Sequence, residues 1–299
     1  MTKPKYRCGY VAILGRPNVG KSTLLNQSLG QKLSITSSKP QTTRHSILGI
    51  KTLAHAQILY VDTPGVHMRG DRAMNRYLNQ NARNALAGAD LALFLVAGTH
   101  WGREYQKVLD YLKQTKTPTI LVVNKIDLIK DKDILLPHLQ WLGEQGDFLD
   151  IIPLSAKSPQ TVDTLEERIS RHLPEADAFY AEDQITDRSI RFLASEIIRE
   201  KITRLLGQEI PYATSVEVEF FAEDADITRI SALIWVERDG QKNILIGAKG
   251  MMLKNIGMQA RKDLEKLLDK KVYLKLWVKV KAGWADDDRA LRSLGYAGQ

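Results

Sequence analysis

Residues 15–22 read GRPNVGKS and fit the spacing G-x-x-x-x-G-K-S. Glycines so placed let backbone N–H groups curl around phosphate oxygens. The lysine then reaches the terminal phosphates, and the serine hydroxyl is placed to ligate Mg2+. The candidate phosphate residues are Gly15, Arg16, Pro17, Asn18, Val19, Gly20, Lys21, Ser22 and Thr23. For this motif alone, a bare glycine turn is the alternative. Three more motifs follow in order. In DTPG (62–65), Asp62 suits Mg2+ held through water, and Gly65 offers a free N–H to a γ-phosphate and room for a conformational change; Thr63 and Pro64 belong to the same set. In NKID (124–127), the Asp127 carboxylate can accept hydrogen bonds from N1–H and N2–H2 of guanine, which adenine lacks. Asn124 braces the loops around the base, and the stem of Lys125 covers the purine face. In SAK (155–157), the N–H of Ala156, between Ser155 and Lys157, donates to guanine O6. Each motif is short enough to arise by chance, but four in this order, each behind a strand pattern, are not.

Those residues need elements to hold them. YVAILG (10–15), QILYVDTPG (57–65), LALFLVAG (91–98), TILVVNKID (119–127) and DIIPLSAK (150–157) are strand-like runs, and helical patterns at 21–30, 73–87 and 103–115 separate them. The alternation predicts a mixed, mainly parallel α/β sheet with helices on both faces. Each motif falls just after a strand, where ligands bind in such sheets. The character changes in the acidic stretch LPEADAFYAEDQITD (173–187), which contains Pro174. The expected division is a first domain over 1–173, a linker over 174–187 and a second domain over 188–299. The second has a helix over 188–206, strands at 214–221 and 227–238, a short helix-like turn, a helix over 251–268 and a strand at 272–281. That order predicts a small α+β domain.

A second glycine loop, GAKG at 247–250, lies in that domain and raises the question of a second polyanion. Charge is sorted around it: residues 242–281 carry 11 basic and 3 acidic side chains, whereas 182–241 carry 7 and 13. A basic face is a candidate nucleic-acid footprint, although solvated lysines alone would look similar. GAKG fits the G-x-x-G loop of KH domains, which clamps a nucleotide backbone. A helix–helix turn is the plain alternative for four residues. The setting of helix, two strands, helix, G-x-x-G, helix and strand is that of a type II KH domain. The candidate RNA residues are Ile246, Gly247, Ala248, Lys249, Gly250 and Lys254. Ile244, Ile246, Leu253 and Ile256 are expected to floor an apolar groove for bases.

The four nucleotide motifs resemble those of the translation-factor-like GTPases. QITDRS (184–189), FLASEIIREK (192–201), IGAKGMMLKNIGMQARKDLE (246–265) and LWVKVKAGWADDDRALRSLGY (276–296) extend the resemblance over nearly the whole chain, to the Era family of bacterial GTPases with a C-terminal type II KH domain. The resemblance implies GTP binding and hydrolysis with Mg2+ held by Ser22, Thr43 and Asp62. Thr43 lies in the switch-like stretch SSKPQTTRHSILGI (37–50), with Thr42 as the less favoured partner. Many small GTPases place a water-orienting glutamine after DTPG. Here the residue is Val66, which cannot do that, followed by His67. Asn18 matches an asparagine that ligates K+ in related loops; a plain turn role for it stays equally open. The implied catalytic set is therefore Lys21, Thr43, Gly65 and Asn18. The implied partners are GTP and GDP, the 3′ end of 16S ribosomal RNA and the 30S subunit, with the chain a monomer associated peripherally with the inner membrane. Ala181, where the family pattern has proline, bears only on linker stiffness.

The bulk composition is compatible with this. The single cysteine, Cys8, excludes an intrachain disulfide and fits a reducing, cytosolic compartment. MTKPKYRCGYVAIL does not read as a signal peptide, and the apolar runs are strand-sized, well short of the ~20 residues of a membrane span. Two rival readings are a membrane- or cell-cycle-associated GTPase whose KH-like domain binds protein, and an RNA-binding protein with a vestigial nucleotide site. The basic block and G-x-x-G weigh against the first, and intact Lys21, Ser22, Asp62 and Asp127 weigh against the second.

Overall fold

Alternating apolar strands and amphipathic helices give the expected βα order. In the computed structural model, which describes residues 5–36, 39, 43–64, 73–99, 101–207 and 209–287, the elements are β1 (Arg7–Gly15), α1 (Lys21–Leu29), β2 (Ile47–Thr52), β3 (Ala56–Asp62), α2 (Ala73–Ala87), β4 (Leu91–Ala97), α3 (Arg103–Thr115), β5 (Thr119–Asn124), α4 (Leu135–Gly143), β6 (Asp150–Pro153) and α5 (Pro159–His172). They form a sheet of order β2-β3-β1-β4-β5-β6, parallel except for β2, which runs antiparallel to β3. The central strands are almost entirely buried, as strands covered on both faces must be. From β1 the chain moves outward to β3 and then returns to β4 on the other side. Right-handed crossovers therefore place helices on both faces and leave a crevice at the carboxyl ends of β1 and its neighbours. All four nucleotide motifs start at such ends. The edge strand β2 was not legible as a strand, because ILGIKT holds a glycine and little alternation.

The chain divides into two compact units, one of Met1–Gly70 and Leu78–Asp187, the other of Asp71–Tyr77 and Arg188–Gln299. The segment read as the linker, 174–187, lies pinned along the first unit. Cys8 N donates to Pro174 O, Ala176 N to Tyr6 O, and Ile50 N to Ile185 O, while Thr186 Oγ1 donates to Leu48 O at 2.7 Å. Its bonds to Ile50 and Leu48 occupy hydrogen-bonding groups that the edge strand β2 otherwise leaves open. Gln57, fully buried on β3, clamps it: its Oε1 accepts from Phe179 N and Tyr180 N at 2.9 and 3.0 Å, and its Nε2 donates to Tyr180 O at 2.9 Å. Gln57→Leu keeps the volume and removes the three bonds to this segment, together about 3 kcal/mol at about 1 kcal/mol each. Opening of the segment is then about 150-fold more populated, and limited proteolysis within 174–187 accelerates by that order. Unchanged cleavage would show that the clamp holds nothing.

The second unit contains α6 (Ile190–Leu205), β7 (Ser215–Glu223), β8 (Ile227–Val236), α7 (Asp239–Ile246), α8 (Met251–Leu268) and β9 (Lys271–Val280). Ser189 caps α6 by accepting from Phe192 N. The sheet runs β7-β8-β9, with β9 parallel to β8. Ile256, Ala260 and Leu264 recur at helical spacing on α8 and pack with Ile198, Ile202, Ile230, Ala232 and Ile234 in one core. Each fully buried aliphatic side chain contributes about 1.5–3 kcal/mol. That periodicity corrects one expectation. Ile256 is a core residue with no exposed surface, whereas Ile244 is exposed and Ile246 and Leu253 are half-buried.

Candidate nucleotide and nucleic-acid sites

The loop from Gly15 to Gly20 joins β1 to α1, with Lys21, Ser22 and Thr23 in the first turn of the helix. Gly20 holds φ at 105°, and any Cβ there would collide with the Asn124 side chain, so only glycine fits. Asn18 also adopts a left-handed conformation, with φ 65°. Lys21 is buried, and its ammonium donates to Gly15 O and Arg16 O at 3.0 and 2.9 Å. Burial lowers its pKa to about 8, and the nearby Asp62 carboxylate only partly offsets this. The loop thus holds a cation short of a full anionic partner. Arg16 turns aside to α3, where it pairs with Glu104 and lies 5.1 Å over the Tyr105 ring.

Ser22 Oγ donates to Asp62 Oδ2 at 2.9 Å and lies 3.0 Å from Thr43 Oγ1. Asp62 is completely buried, yet its Oδ1 has no hydrogen-bond partner. Burial raises its pKa, opposed by Lys21 and by bonds from Ser34 and Ser22. Two hydroxyls and a carboxylate with an orphaned oxygen form a hard-oxygen donor set that suits Mg2+, which normally keeps several waters and needs few protein ligands. Accordingly, no group of three or more His, Cys, Asp or Glu side chains is arranged for a metal among the described residues. Thr63 is also fully buried, but its hydroxyl donates to Ile13 O at 2.7 Å, fastening the turn to β1. Pro64 follows it, buried. Gly65, Val66, His67 and Thr42 lie outside the described residues.

The sequence reading missed Ser34 and Asn26. Ser34 Oγ donates to Asp62 Oδ2 at 2.7 Å. Asn26, on α1, accepts from Leu33 N and Ser34 N at 2.9 and 2.8 Å and donates to Ser34 O at 2.8 Å. An asparagine inside a helix is a poor helix former that competes for backbone groups, and this was the available signal.

At the base end, Asn124 joins three loops. Its Nδ2 donates to Val19 O at 2.7 Å, and its Oδ1 accepts from Lys125 N and Ala156 N at 2.7 and 2.9 Å. The brace is as expected from NKID, but it engages the Ala156 N–H that SAK was read as offering to a base. Lys125, with φ 65°, stretches back to donate to Asn18 O at 2.6 Å. Asp127 is exposed in the turn Ile126–Leu128. A hydrogen bond from Ser155, aided by Lys157 and Lys132, holds its carboxyl below the usual range. It is therefore ionised and ready to accept donors at neutral pH.

In the second unit, α7 ends at Gly247, where φ is 70° and ψ 176° and a Cβ would sit 2.7 Å from Met252 Cβ. Lys249 is left-handed (φ 51°, ψ 27°), as is Gly250 (φ 78°). This sharp turn exposes Ala248 and Lys249 at the start of α8, with Lys254 exposed one turn later and Ile246 half-buried before it. The arrangement can take an extended anionic backbone across the glycines.

Fold and site together define a two-part protein: a P-loop domain of GTPase type followed by a KH domain. Family models describe the same parts, a "50S ribosome-binding GTPase" over residues 10–125 and a "KH domain" over 209–285. The chain is 59% identical over 293 residues to GTPase Era of Ectopseudomonas mendocina, covering 98% of each chain. It is 58% identical to GTPase Era of Pseudomonas entomophila over 97% of each. An Era of Aquifex aeolicus bound to GDP and AlF4−, 38% identical, superposes with a TM-score of 0.94 over 98% of this chain and 100% of that one. An Era in complex with MgGDPNP and nucleotides 1506–1542 of 16S ribosomal RNA matches equally, with TM-score 0.94 and the same identity and coverage. The chain belongs to the GTPase Era family.

Proposed function

We propose that this chain is a GTP-hydrolysing switch whose second unit binds the 3′ end of 16S ribosomal RNA and assists assembly of the 30S subunit, nucleotide state governing RNA binding. The likeness, over both units, to the Era captured with a GTP analogue and 16S ribosomal RNA carries this reading. Gly15–Thr23 cradles the phosphates, Lys21 supplies positive charge at the β/γ end, and Asp127 reads guanine within loops braced by Asn124. Ser22, Thr43 and Asp62 would hold Mg2+, which when bound neutralises phosphate charge. Such chemistry is mainly positioning and electrostatics. With Val66 unable to orient water, Asn18 would hold K+, which when bound would supply further charge. No described helix is long and apolar enough to cross a membrane, so association with the inner membrane is proposed as peripheral.

The test is crosslinking to total RNA with GTP or GDP present, followed by sequencing of the bound fragments. Enrichment of the 16S 3′ end that depends on the nucleotide supports the reading; indifferent recovery of all RNA overturns it. In the same assay Ala248→Asp/Lys249→Asp places two negative charges against phosphates. RNA affinity is expected to fall for every sequence alike, and wild-type affinity to fall as salt rises, because these contacts position the backbone and do not read bases. Nucleotide binding is retained. Unchanged RNA affinity in the folded variant would reduce GAKG to a helix–helix turn.

A monovalent-cation effect follows as well. GTP hydrolysis by the wild-type chain is expected to run faster in K+ than in Na+, and Asn18→Ala to erase the difference. Equal wild-type rates in the two salts would dispose of the K+ role.

A further inference from the structure

Helices α6 and α8 cover one face of the β7-β8-β9 sheet, burying Val272 and half-burying Leu274, Leu276 and Val278 of β9. By alternation Tyr273, Lys275, Trp277 and Lys279 stand on the opposite face. Tyr273 is 49% exposed and Trp277 55% exposed, unusual for large rings. They lie four residues apart on one strand, about 13 Å. Trp235 of β8 pairs with Lys279 in register and has two ammonium groups over its ring, Lys279 at 6.0 Å and Lys281 at 5.7 Å. Lys275 lies 5.6 Å from the Tyr273 ring centre. Residues 270–281 contain five lysines and no acidic residue.

Lysines on an edge strand would by themselves discourage edge-to-edge pairing. That purpose leaves two large rings in solvent unexplained. Flat rings interleaved with cations are the composition of a surface that stacks bases and neutralises phosphates. We infer that the outward face of β8 and β9 is a second binding surface for single-stranded RNA, with Tyr273 and Trp277 stacking on bases and the flanking lysines holding the backbone. It lies on the face of the sheet opposite α8, at whose start the GAKG loop sits. It extends the RNA-binding reading given above and rests on it. A G-x-x-G loop clamps about four nucleotides, so a short strand fills the loop alone and a longer one continues onto the sheet.

The test uses the full chain and fluorescence anisotropy with oligoribonucleotides of about 5 and about 15 nucleotides from the 16S 3′ end, lengths that bracket one loop and one extended surface. Tyr273→Ala/Trp277→Ala is expected to weaken binding of the long oligonucleotide about 5- to 150-fold per unstacked base and to leave the short one unchanged. Trp277→Phe keeps a ring and most of the affinity. Ala248→Asp/Lys249→Asp weakens both lengths. Unchanged binding of the long oligonucleotide by the folded double-alanine variant overturns this inference and spares the RNA reading. Failure of the wild-type chain to bind either length overturns both. Vesicles of phosphatidylglycerol form a separate arm: if the alanine variant loses vesicle binding and no RNA affinity, the face serves lipid and the inference falls.

Discussion

Asp127→Asn is expected to exchange guanine preference for xanthine preference. The wild-type carboxylate is exposed and is held ionised by Ser155, Lys157 and Lys132. On the function proposed above it would accept two guanine N–H groups, each charge-assisted bond worth about 1.5–3 kcal/mol. An amide keeps the shape but points an N–H at guanine N2–H2, where donor meets donor, and that same N–H pairs with the C2 carbonyl of xanthine. The ratio of GTP to XTP affinity should fall by about 10²- to 10⁴-fold. The braces from Asn124 to Val19, Lys125 and Ala156 do not involve Asp127, so the loops stay in place. Competition between GTP and XTP measures the outcome. A variant that still prefers GTP would remove Asp127 from base recognition.

Lys21→Ala is expected to abolish most hydrolysis without unfolding either unit. In the structure this ammonium bonds only backbone carbonyls and is held at a lowered pKa by burial. Burying a cation short of an anion is costly, so its removal should leave stability level or raise it slightly. Arriving phosphates relieve that cost, and the variant loses the relief: about 1.5–3 kcal/mol for one charged hydrogen bond, or about 10- to 150-fold in affinity or rate. Single-turnover hydrolysis and thermal unfolding, run on one preparation, separate the two effects. If limited proteolysis found the second unit unfolded in this variant, the two-domain reading would be contradicted.

Much of this was legible in the chain itself. G-x-x-x-x-G-K-S, DTPG, NKID and SAK are local because phosphate, metal and base are each gripped by a few consecutive residues at a strand end. Apolar runs of strand length and helical periodicities such as Ile256, Ala260 and Leu264 likewise report burial through local spacing. The sequence therefore determined the parallel sheet, the order of the nucleotide motifs, the KH-like second unit and the charge sorting around GAKG.

Only the tertiary structure decided which groups meet across long separations. Periodicity does not encode that Gln57 grips Phe179 and Tyr180, that Ser34 shares Asp62 with Ser22, or that Asn124 takes the Ala156 N–H. Those bonds join residues 28 to 123 positions apart. Each depends on the sheet order and on how loops close over it. β2 became a strand because β3 offered it an open edge, although ILGIKT carries little strand signal of its own. The two faces of β9 differ for a similar reason. Alternation sets Tyr273, Lys275, Trp277 and Lys279 apart from Val272, Leu274, Leu276 and Val278, but only the packing of α6 and α8 determines which set is buried and which faces solvent.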